Sequence, residues 1–435
     1  MAIERKRIII KIAVNICSFF VAAIFIFSGF TKAVDPVGGG IKIGEYLNAF
    51  GFDLLDEENL LELFAFIQSV LEFMIGIYLL LGMRRKLVSK VLLVVMIFMT
   101  AFTFYLAKTD IVTNCGCFGD AVNLSNWNTF YKNVIILGAT IVIAFYPTEI
   151  YKTLRLKNEW FAKVYSFAFV CGLNLYSLYY LPLIDFRPYY IGQNIIEGMD
   201  IPADAEPPVY ETVFTLRKNG IEKQFTLEDY PDSTWEFVDS KTKLIKKGYE
   251  PVIANFTLYE FITGNEVTDD VLRDNDYSFW LIIPYIEKTD NGVIDAIEDI
   301  YDYCQLYGYK LYGFTSSGEE AVQEWKHSAG IDFPFYQADD ILLKTMIRSN
   351  PGLMLVHKGS IINKWSKNNM PDDEVLTAPL EKLTSIYGTA EKGLKGVFKY
   401  LGFFIIPLLF LIFADKYRQS RKRHKVNDSN HKKVE

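Results

Sequence analysis

Six long apolar segments dominate the sequence and restrict it to a chain that crosses a membrane several times. Each has about the 20 residues that an α-helix needs to span a hydrocarbon core ~30 Å thick. The segments are 10–30, 60–82, 87–107, 130–147, 160–184 and 396–414. A long polar stretch separates the fifth from the sixth, yet the mean hydropathy stays positive at +0.14. We therefore predict a membrane α-helical bundle joined to a water-soluble part.

Basic residues are concentrated in alternate connections between these segments. They precede the first segment, join the second to the third, join the fourth to the fifth, and follow the sixth. If all six segments span, these four stretches share one side, which the positive-inside rule assigns to the cytoplasm. The chain is thus predicted to be a multi-pass protein of the cell inner membrane with cytoplasmic N- and C-termini. Residues 31–59, 108–129 and about 185–395 then face the periplasm.

The overall charge is acidic, with 45 Lys and Arg against 52 Asp and Glu and a net charge of -7. Most of the acidic residues of the outward region lie between about 200 and 373. A nucleic-acid-binding protein needs a basic face, so we predict that nucleic acid is not a partner. The apolar segments make the lipid bilayer the predicted partner.

The outward region divides into two patterns. Residues 208–248 alternate apolar and polar side chains around Asn219-Gly220, which is typical of a β-hairpin. From about residue 251, strands alternate with helices, which predicts an α/β domain. The predicted strands are 277–286, 309–317 and 333–339, the helices are 292–306, 318–328 and 340–348, and the hairpins are 255–267 and 349–365, the latter turning at Lys358-Gly359. The predicted domains are 1–150 (four membrane helices), 151–185 (fifth membrane helix), 186–250 (β-rich segment), 251–393 (the α/β domain) and 394–435 (sixth membrane helix and basic tail).

The order of elements in the α/β domain resembles the thioredoxin-like fold in its TlpA or peroxiredoxin form. The resemblance implies that Pro351 is the cis-proline bordering the active site. Members with thiol chemistry carry Cys-x-x-Cys at the start of the first helix, where this chain reads "IPYIEKTDNGVIDA". Cys304 lies deeper in that helix, where a buried thiol is usually a small hydrophobe. We therefore predict a thioredoxin-like domain that has lost its own thiol chemistry. Its predicted role is to bind or position another molecule or another part of the chain.

Two of the five cysteines are separated by one glycine in "TNCGCFGD", within the cysteine loop, residues 108–129. In an oxidising compartment, close thiols are expected to form or shuttle a disulfide. A bridge between Cys115 and Cys117 would close a small, strained and easily reduced ring, which favours exchange over a structural staple. Two cysteines without further ligands cannot complete a zinc site, so no metal is predicted. The thiol pKa would be raised by Asp120, or lowered by Lys108 or Lys132, and the sequence leaves this choice open.

Three segments carry a second resemblance: "FIFSGFTKAVDPVG" at 25–38, "EFMIGIYLLLG" at 72–82 and "CGCFGDAVNLSNWNTFYKN" at 115–133. They resemble the MauE branch of the DoxX-like membrane proteins. The resemblance implies a four-helix membrane domain, disulfide chemistry in the envelope and a thioredoxin-like partner, and it maps the family's cysteine pair onto Cys115 and Cys117. We hypothesise that these two catalytic residues pass electrons between an envelope thiol protein and a membrane acceptor, for which a quinone is the candidate cofactor.

Two rival hypotheses remain. One is a non-catalytic scaffold whose thioredoxin-like domain binds an envelope partner. The other is a small-molecule or lipid transporter, motivated by Glu72, which shares a face of the second span with Gln68. An ionisable residue in a membrane helix is either functional or makes a packing contact, here with Asn15 or Ser28. The run Gly38-Gly39-Gly40 is predicted to be a flexible loop.

Overall fold

The computed structural model describes residues 2–52, 57–112, 115–154, 156–206, 209–218, 221–227, 229–232, 234–246, 248–274, 276–289, 291–388 and 391–431. The helices are α1 (Ala2–Val34), α2 (Pro36–Ala49), α3 (Glu58–Leu81), α4 (Arg85–Thr109), α5 (Asn126–Phe145), α6 (Leu156–Tyr179), α7 (Ile195–Met199), α8 (Thr268–Leu272), α9 (Ile294–Tyr307), α10 (Glu319–Ala329), α11 (Asp340–Met346) and α12 (Gly393–His431). The strands are β1 (Cys117–Asp120), β2 (Ile184–Asp185), β3 (Val209–Lys218), β4 (Ile221–Phe225), β5 (Glu236–Lys246), β6 (Tyr259–Glu260), β7 (Tyr277–Ile283), β8 (Lys310–Thr315), β9 (Phe335–Gln337), β10 (Gly352–His357), β11 (Ser360–Ser366) and β12 (Glu391–Lys392).

The six predicted spans are confirmed as helices α1, α3, α4, α5, α6 and α12, each long and apolar enough to cross a membrane. At most 33% of the residues in the 18-residue apolar window of each span are buried within the protein. The fifth span ends at Tyr179, earlier than predicted. Pro182 follows closely, and a proline disfavours helical geometry in the residue before it.

Helices α1 and α3 pack closely because glycines face the contact. A Cβ atom on Gly29 would lie 2.4 Å from the backbone nitrogen of Phe73, and one on Gly76 would lie 2.7 Å from Cγ1 of Ile26. Small residues allow such close approach of membrane helices. The packing brings Glu72 of α3 opposite Ser28 of α1.

Helix α2 corrects the prediction of a flexible glycine loop. Gly38, Gly39 and Gly40 form its first turns, and Asp35 caps it by accepting a hydrogen bond from the Gly38 backbone nitrogen at 2.9 Å. A Cβ atom on Gly39 would lie 2.9 Å from Cβ of Ala65 in α3. Close packing on α3 therefore outweighs the low helix propensity of glycine.

The α/β domain contains a six-stranded sheet with the order β11-β10-β7-β8-β9-β6. Strands β7, β8 and β9 are parallel, whereas β10 runs antiparallel to β7 and β11. Helices α9 and α10 cover one face of the sheet, and α8 and α11 cover the other. The predicted α/β class is confirmed. The predicted hairpin at 255–267 is shorter than expected, because β6 has two residues and pairs with β9.

Strand β7 lies at the centre of this domain, and all seven of its residues are buried. Phe279 and Leu281 pack towards α9 and α10, whereas Trp280 and Ile282 pack towards α11. A strand covered on both faces needs a continuous apolar run, which explains "YSFWLII".

Two hairpins agree with their predictions. Strand β3 pairs with β4 so that Lys218 faces Ile221, and β5 completes a three-stranded sheet. The turn itself, Asn219-Gly220, lies outside the described residues. Strands β10 and β11 turn at Lys358 and Gly359, both with positive φ, and the Asn350-Pro351 peptide bond is cis.

The bundle has two distinct ends. The α/β domain is joined to the first end, where β2 after α6 pairs in parallel with β12 before α12. At the other end, Asn158 donates to Asp415 at 2.8 Å, and Asn15 near the start of α1 donates to the Glu149 carbonyl oxygen at 3.0 Å. The beginning of α1 and the end of the sixth span therefore lie opposite the α/β domain.

Candidate functional site

The cysteine loop brings the two predicted thiols together at the first end of the bundle. Their Sγ atoms are 2.9 Å apart, and both cysteines are free. Gly116 between them has a φ of +59°, which a glycine adopts without steric cost. Gly119 donates a backbone hydrogen bond to the Gly116 carbonyl oxygen at 3.0 Å. The loop is therefore a tight turn that presents two adjacent thiols.

Helices α1 and α2 hold this turn by its carbonyl groups. The Tyr46 hydroxyl donates to the Cys115 carbonyl oxygen at 2.6 Å, and the Ser28 hydroxyl lies 2.6 Å from the Cys117 carbonyl oxygen. A Cβ atom on Gly116 would lie 2.9 Å from Cγ of Lys42. The lack of a side chain at Gly116 thus lets the dithiol lie against α2.

A buried polar cluster lies directly beneath the loop. The Ser28 hydroxyl is 2.7 Å from Oε2 of Glu72, and Lys32 forms an ion pair with Oε1 of the same carboxylate at 2.5 Å. Gln68 donates to that carboxylate at 3.1 Å. Of the two contacts predicted for Glu72, the one with Ser28 is present, whereas Asn15 bonds at the other end of the bundle. Desolvation makes a buried pair a poor source of stability, so stability alone does not explain this cluster.

The two thiols have opposite pKa shifts. The hydrogen bond with Cys115 lowers the pKa of the Cys117 thiol to about 6. Burial opposes this shift, and the positive charges of Lys132 and Lys32 reinforce it. The hydrogen bond with Cys117, together with burial, raises the pKa of the Cys115 thiol above its ordinary value. Since the thiolate is the nucleophile, these directions favour Cys117 as the nucleophile of the pair.

Of the charges considered from the sequence, Lys132 is the one that lowers the Cys117 pKa. Its Nζ atom lies 4.3 Å from the centroid of the Phe118 ring, next to the dithiol. Asp120, in contrast, forms an ion pair with Arg348 at 2.9 Å.

Replacing Lys132 with Met is expected to raise the Cys117 pKa by roughly one unit, because a nearby cation favours the thiolate. The pH dependence of iodoacetamide alkylation at Cys117, resolved by mass spectrometry of the purified protein in detergent, measures this shift. Lys108→Met is the matched control, since Lys108 is exposed at the end of α4 and should leave the midpoint unchanged. Equal midpoints in the two variants would contradict the assignment.

The remaining cysteines lie apart from this site. Cys17 and Cys171 are in spans, and Cys304 is 2% exposed in the core of the α/β domain. Burial raises the pKa of Cys304 to about 12, which leaves it unreactive. Within the described ranges, no group of three or more His, Cys, Asp and Glu side chains is placed to hold a metal ion.

Sequence reasoning missed several residues that surround the dithiol: Tyr46, Arg348, Lys32, and Ser28 in its contact with the cysteine loop. Lys32 could have been found, because it lies four residues after Ser28 and so shares its helical face. Tyr46 and Arg348 carry none, because their contacts depend on how α2 and the α/β domain pack.

Six membrane helices, a free dithiol at one end and an α/β domain beside it define a multi-pass membrane protein with an extramembrane domain. Residues 10–146 match the family model described as Methylamine utilisation protein MauE. This part of the chain is therefore similar to the MauE membrane proteins, as the sequence resemblance predicted. Residues 210–247, the β3 to β5 sheet, match a domain of unknown function (DUF8463). No curated protein and no solved structure matches the chain.

Proposed function

We propose that the protein exchanges disulfides between an envelope thiol protein and a membrane acceptor through Cys115 and Cys117. The observation that carries this proposal is the pair of free thiols 2.9 Å apart in a loop that other elements hold by its backbone. A staple of this size would add little stability, whereas adjacent thiols of unequal reactivity suit exchange.

One thiolate of a partner dithiol attacks the Cys117 sulfur of the Cys115–Cys117 disulfide. A mixed disulfide with Cys117 forms, and Cys115 leaves as a thiolate that takes up the proton released by the partner. The second partner thiol then attacks the mixed bond and releases Cys117. The partner has lost two electrons and two protons, and the pair has gained them. Reoxidation of the pair needs a two-electron acceptor in the membrane, and a quinone is the candidate class.

The α/β domain is proposed to be thioredoxin-like without thiol chemistry. The parallel pairing of β7, β8 and β9 and the antiparallel hairpin of β10 and β11 beside β7 support this proposal. The segment that replaces the thiol motif lies at the membrane domain, where Lys288 pairs with Glu58 of α3 at 3.1 Å. Its proposed role is to position the cysteine loop.

The proposed location is the inner membrane, with the dithiol and the α/β domain in the periplasm. The alternating basic connections support this orientation. So does the placement of the α/β domain at the end of the bundle opposite Asn15 and Asp415.

The test is the redox state of the pair in living membranes, read by acid quenching, differential alkylation and mass spectrometry around a pulse of reductant. The expected result is a disulfide that is reduced and then recovers. In Cys115→Ser, the remaining Cys117 thiolate should attack the oxidised, disulfide form of the partner and accumulate a mixed disulfide, because the serine cannot resolve it. Cys17→Ser, outside the site, should behave like the native protein. Thiols that stay reduced throughout would overturn the proposal.

A scaffold is the second candidate, favoured by the absence of thiols from the segment of the α/β domain that meets the membrane domain. It predicts that replacing both Cys115 and Cys117 with Ser preserves the cellular phenotype. Surface substitutions within 255–370 should then abolish it. The opposite pattern supports exchange.

A further inference from the structure

Arg348 crosses from the α/β domain into the membrane domain. Its Nε atom donates to both carboxylate oxygens of Asp35, at 3.0 and 3.3 Å, and its Nη2 donates to Asp120 at 2.9 Å. Nη1 donates to the Lys344 carbonyl oxygen of α11 at 2.8 Å. The side chain is 7% exposed, so a buried guanidinium joins two carboxylates of one domain to a helix of the other.

Each of these carboxylates lies at the end of an element that holds or contains part of the dithiol. Asp35 caps α2, the helix whose Tyr46 holds the Cys115 carbonyl group. Asp120 ends β1, the strand that begins at Cys117. Arg348 therefore contacts both the helix beside the loop and the strand that leaves it.

The contact is built into the surface of the membrane domain. Gly38 lies under the guanidinium, and a Cβ atom there would be 2.7 Å from Nη2. Lys288 and Glu58 also link the two domains, but their side chains are 51% and 48% exposed. Exposed pairs contribute little, whereas breaking a buried pair is costly. Of these two links, the one through Arg348 therefore couples the domains more strongly.

We propose that Arg348 is a positioning residue that latches the α/β domain onto the cysteine loop through Asp35 and Asp120. With the latch closed, the loop is fixed and Cys117 is partly buried. With it open, an incoming thiol protein reaches the dithiol. The inference rests on the proposed function only for this last step.

The test is the rate at which a membrane-impermeant maleimide modifies Cys117 in the reduced, full-length protein in proteoliposomes. Arg348→Gln is expected to raise this rate at least about tenfold, because it leaves Asp35 and Asp120 without their cation. Lys288→Gln, which breaks the exposed pair across the same junction, should change it less than about twofold. Arg348→Lys keeps the charge but cannot bridge both carboxylates, so its rate should fall between those of the native protein and Arg348→Gln.

Cys304 serves as an internal control, since it reacts only if the α/β domain unfolds. Its modification should stay slow in every variant. Asp120→Asn should raise the Cys117 rate, and combining it with Arg348→Gln should add little, since the two act through one contact. Equal rates in Arg348→Gln and Lys288→Gln, or fully additive effects, would overturn the latch. Failure of the redox test with a positive result here would overturn the proposed exchange and leave the latch standing.

Discussion

Asp185→Asn is expected to lower the free energy of unfolding of the α/β domain and its anchor segment by about 3–5 kcal/mol, the usual result of removing one partner from a buried charge network. Asp185 accepts from Nε of Arg187 at 2.9 Å and from Nζ of Lys364 at 2.9 Å. The three side chains are at most 8% exposed. The substitution therefore leaves two buried cations without a carboxylate.

Thermal unfolding of the full-length protein in detergent, followed by circular dichroism, measures this loss as a fall in Tm of about 10 °C. Asp269→Asn is the matched control, because the Asp269–Arg273 pair is 76% and 74% exposed. Its removal should cost less than about 1 kcal/mol. Similar losses in the two variants would contradict the assigned role of Asp185.

The same substitution has an expected pH dependence. Burial lowers the pKa of Lys364 from 10.5 to about 8, against the opposing pull of Asp185. Between about pH 8 and 10.5, the folded state therefore binds fewer protons than the unfolded state. The free energy of unfolding rises with pH in this range. Without Asp185, Lys364 should lose its proton at lower pH. The loss of stability in Asp185→Asn should therefore become smaller as the pH is raised from about 6.5 to about 8.5. A loss that does not change with pH would contradict the view that two unpaired buried cations cause it.

Glu72→Gln and Lys32→Met are expected to shift the pKa of Cys117 in opposite directions. The positive charge of Lys32 lowers this pKa and the negative charge of Glu72 raises it. Glu72→Gln should therefore lower the midpoint of Cys117 alkylation, and Lys32→Met should raise it. Each variant also breaks a pair whose side chains are 9% and 16% exposed, so both should lose about 3–5 kcal/mol of stability.

This combination separates an electrostatic role from loosened packing, because loosening alone would move both midpoints the same way. Alkylation profiles and melting curves of the purified variants supply both measurements. Gln68→Leu removes a hydrogen bond to Glu72 without changing the charge, and its midpoint should match that of the native protein. Shifts of the same sign in Glu72→Gln and Lys32→Met would refute the role of the cluster.

The spans and the succession of strands and helices along the α/β domain could be predicted because both follow from local pattern. Lipid requires about 20 apolar residues per helix, and the buried run of β7 and the turn at Lys358-Gly359 are readable within a few residues. Helix α2 was missed because three glycines predict a loop unless the surface of α3 is known. Sequence also could not choose among Asp120, Lys108 and Lys132 as the charge that tunes the thiol, because Asp120 pairs with Arg348, which lies 228 residues away along the chain.

The pairing of β2 with β12, which joins Ile184 to Glu391, has a kinetic consequence. The α/β domain is tethered to the bundle at both of its ends, so release of the Arg348 contact leaves it at an effective concentration of about millimolar or more. Opening and closing are then unimolecular events that do not depend on how much protein is present. A soluble thiol protein at micromolar concentration must compete with the tethered α/β domain for the cysteine loop. Its access to the dithiol is therefore set by how long each opening lasts.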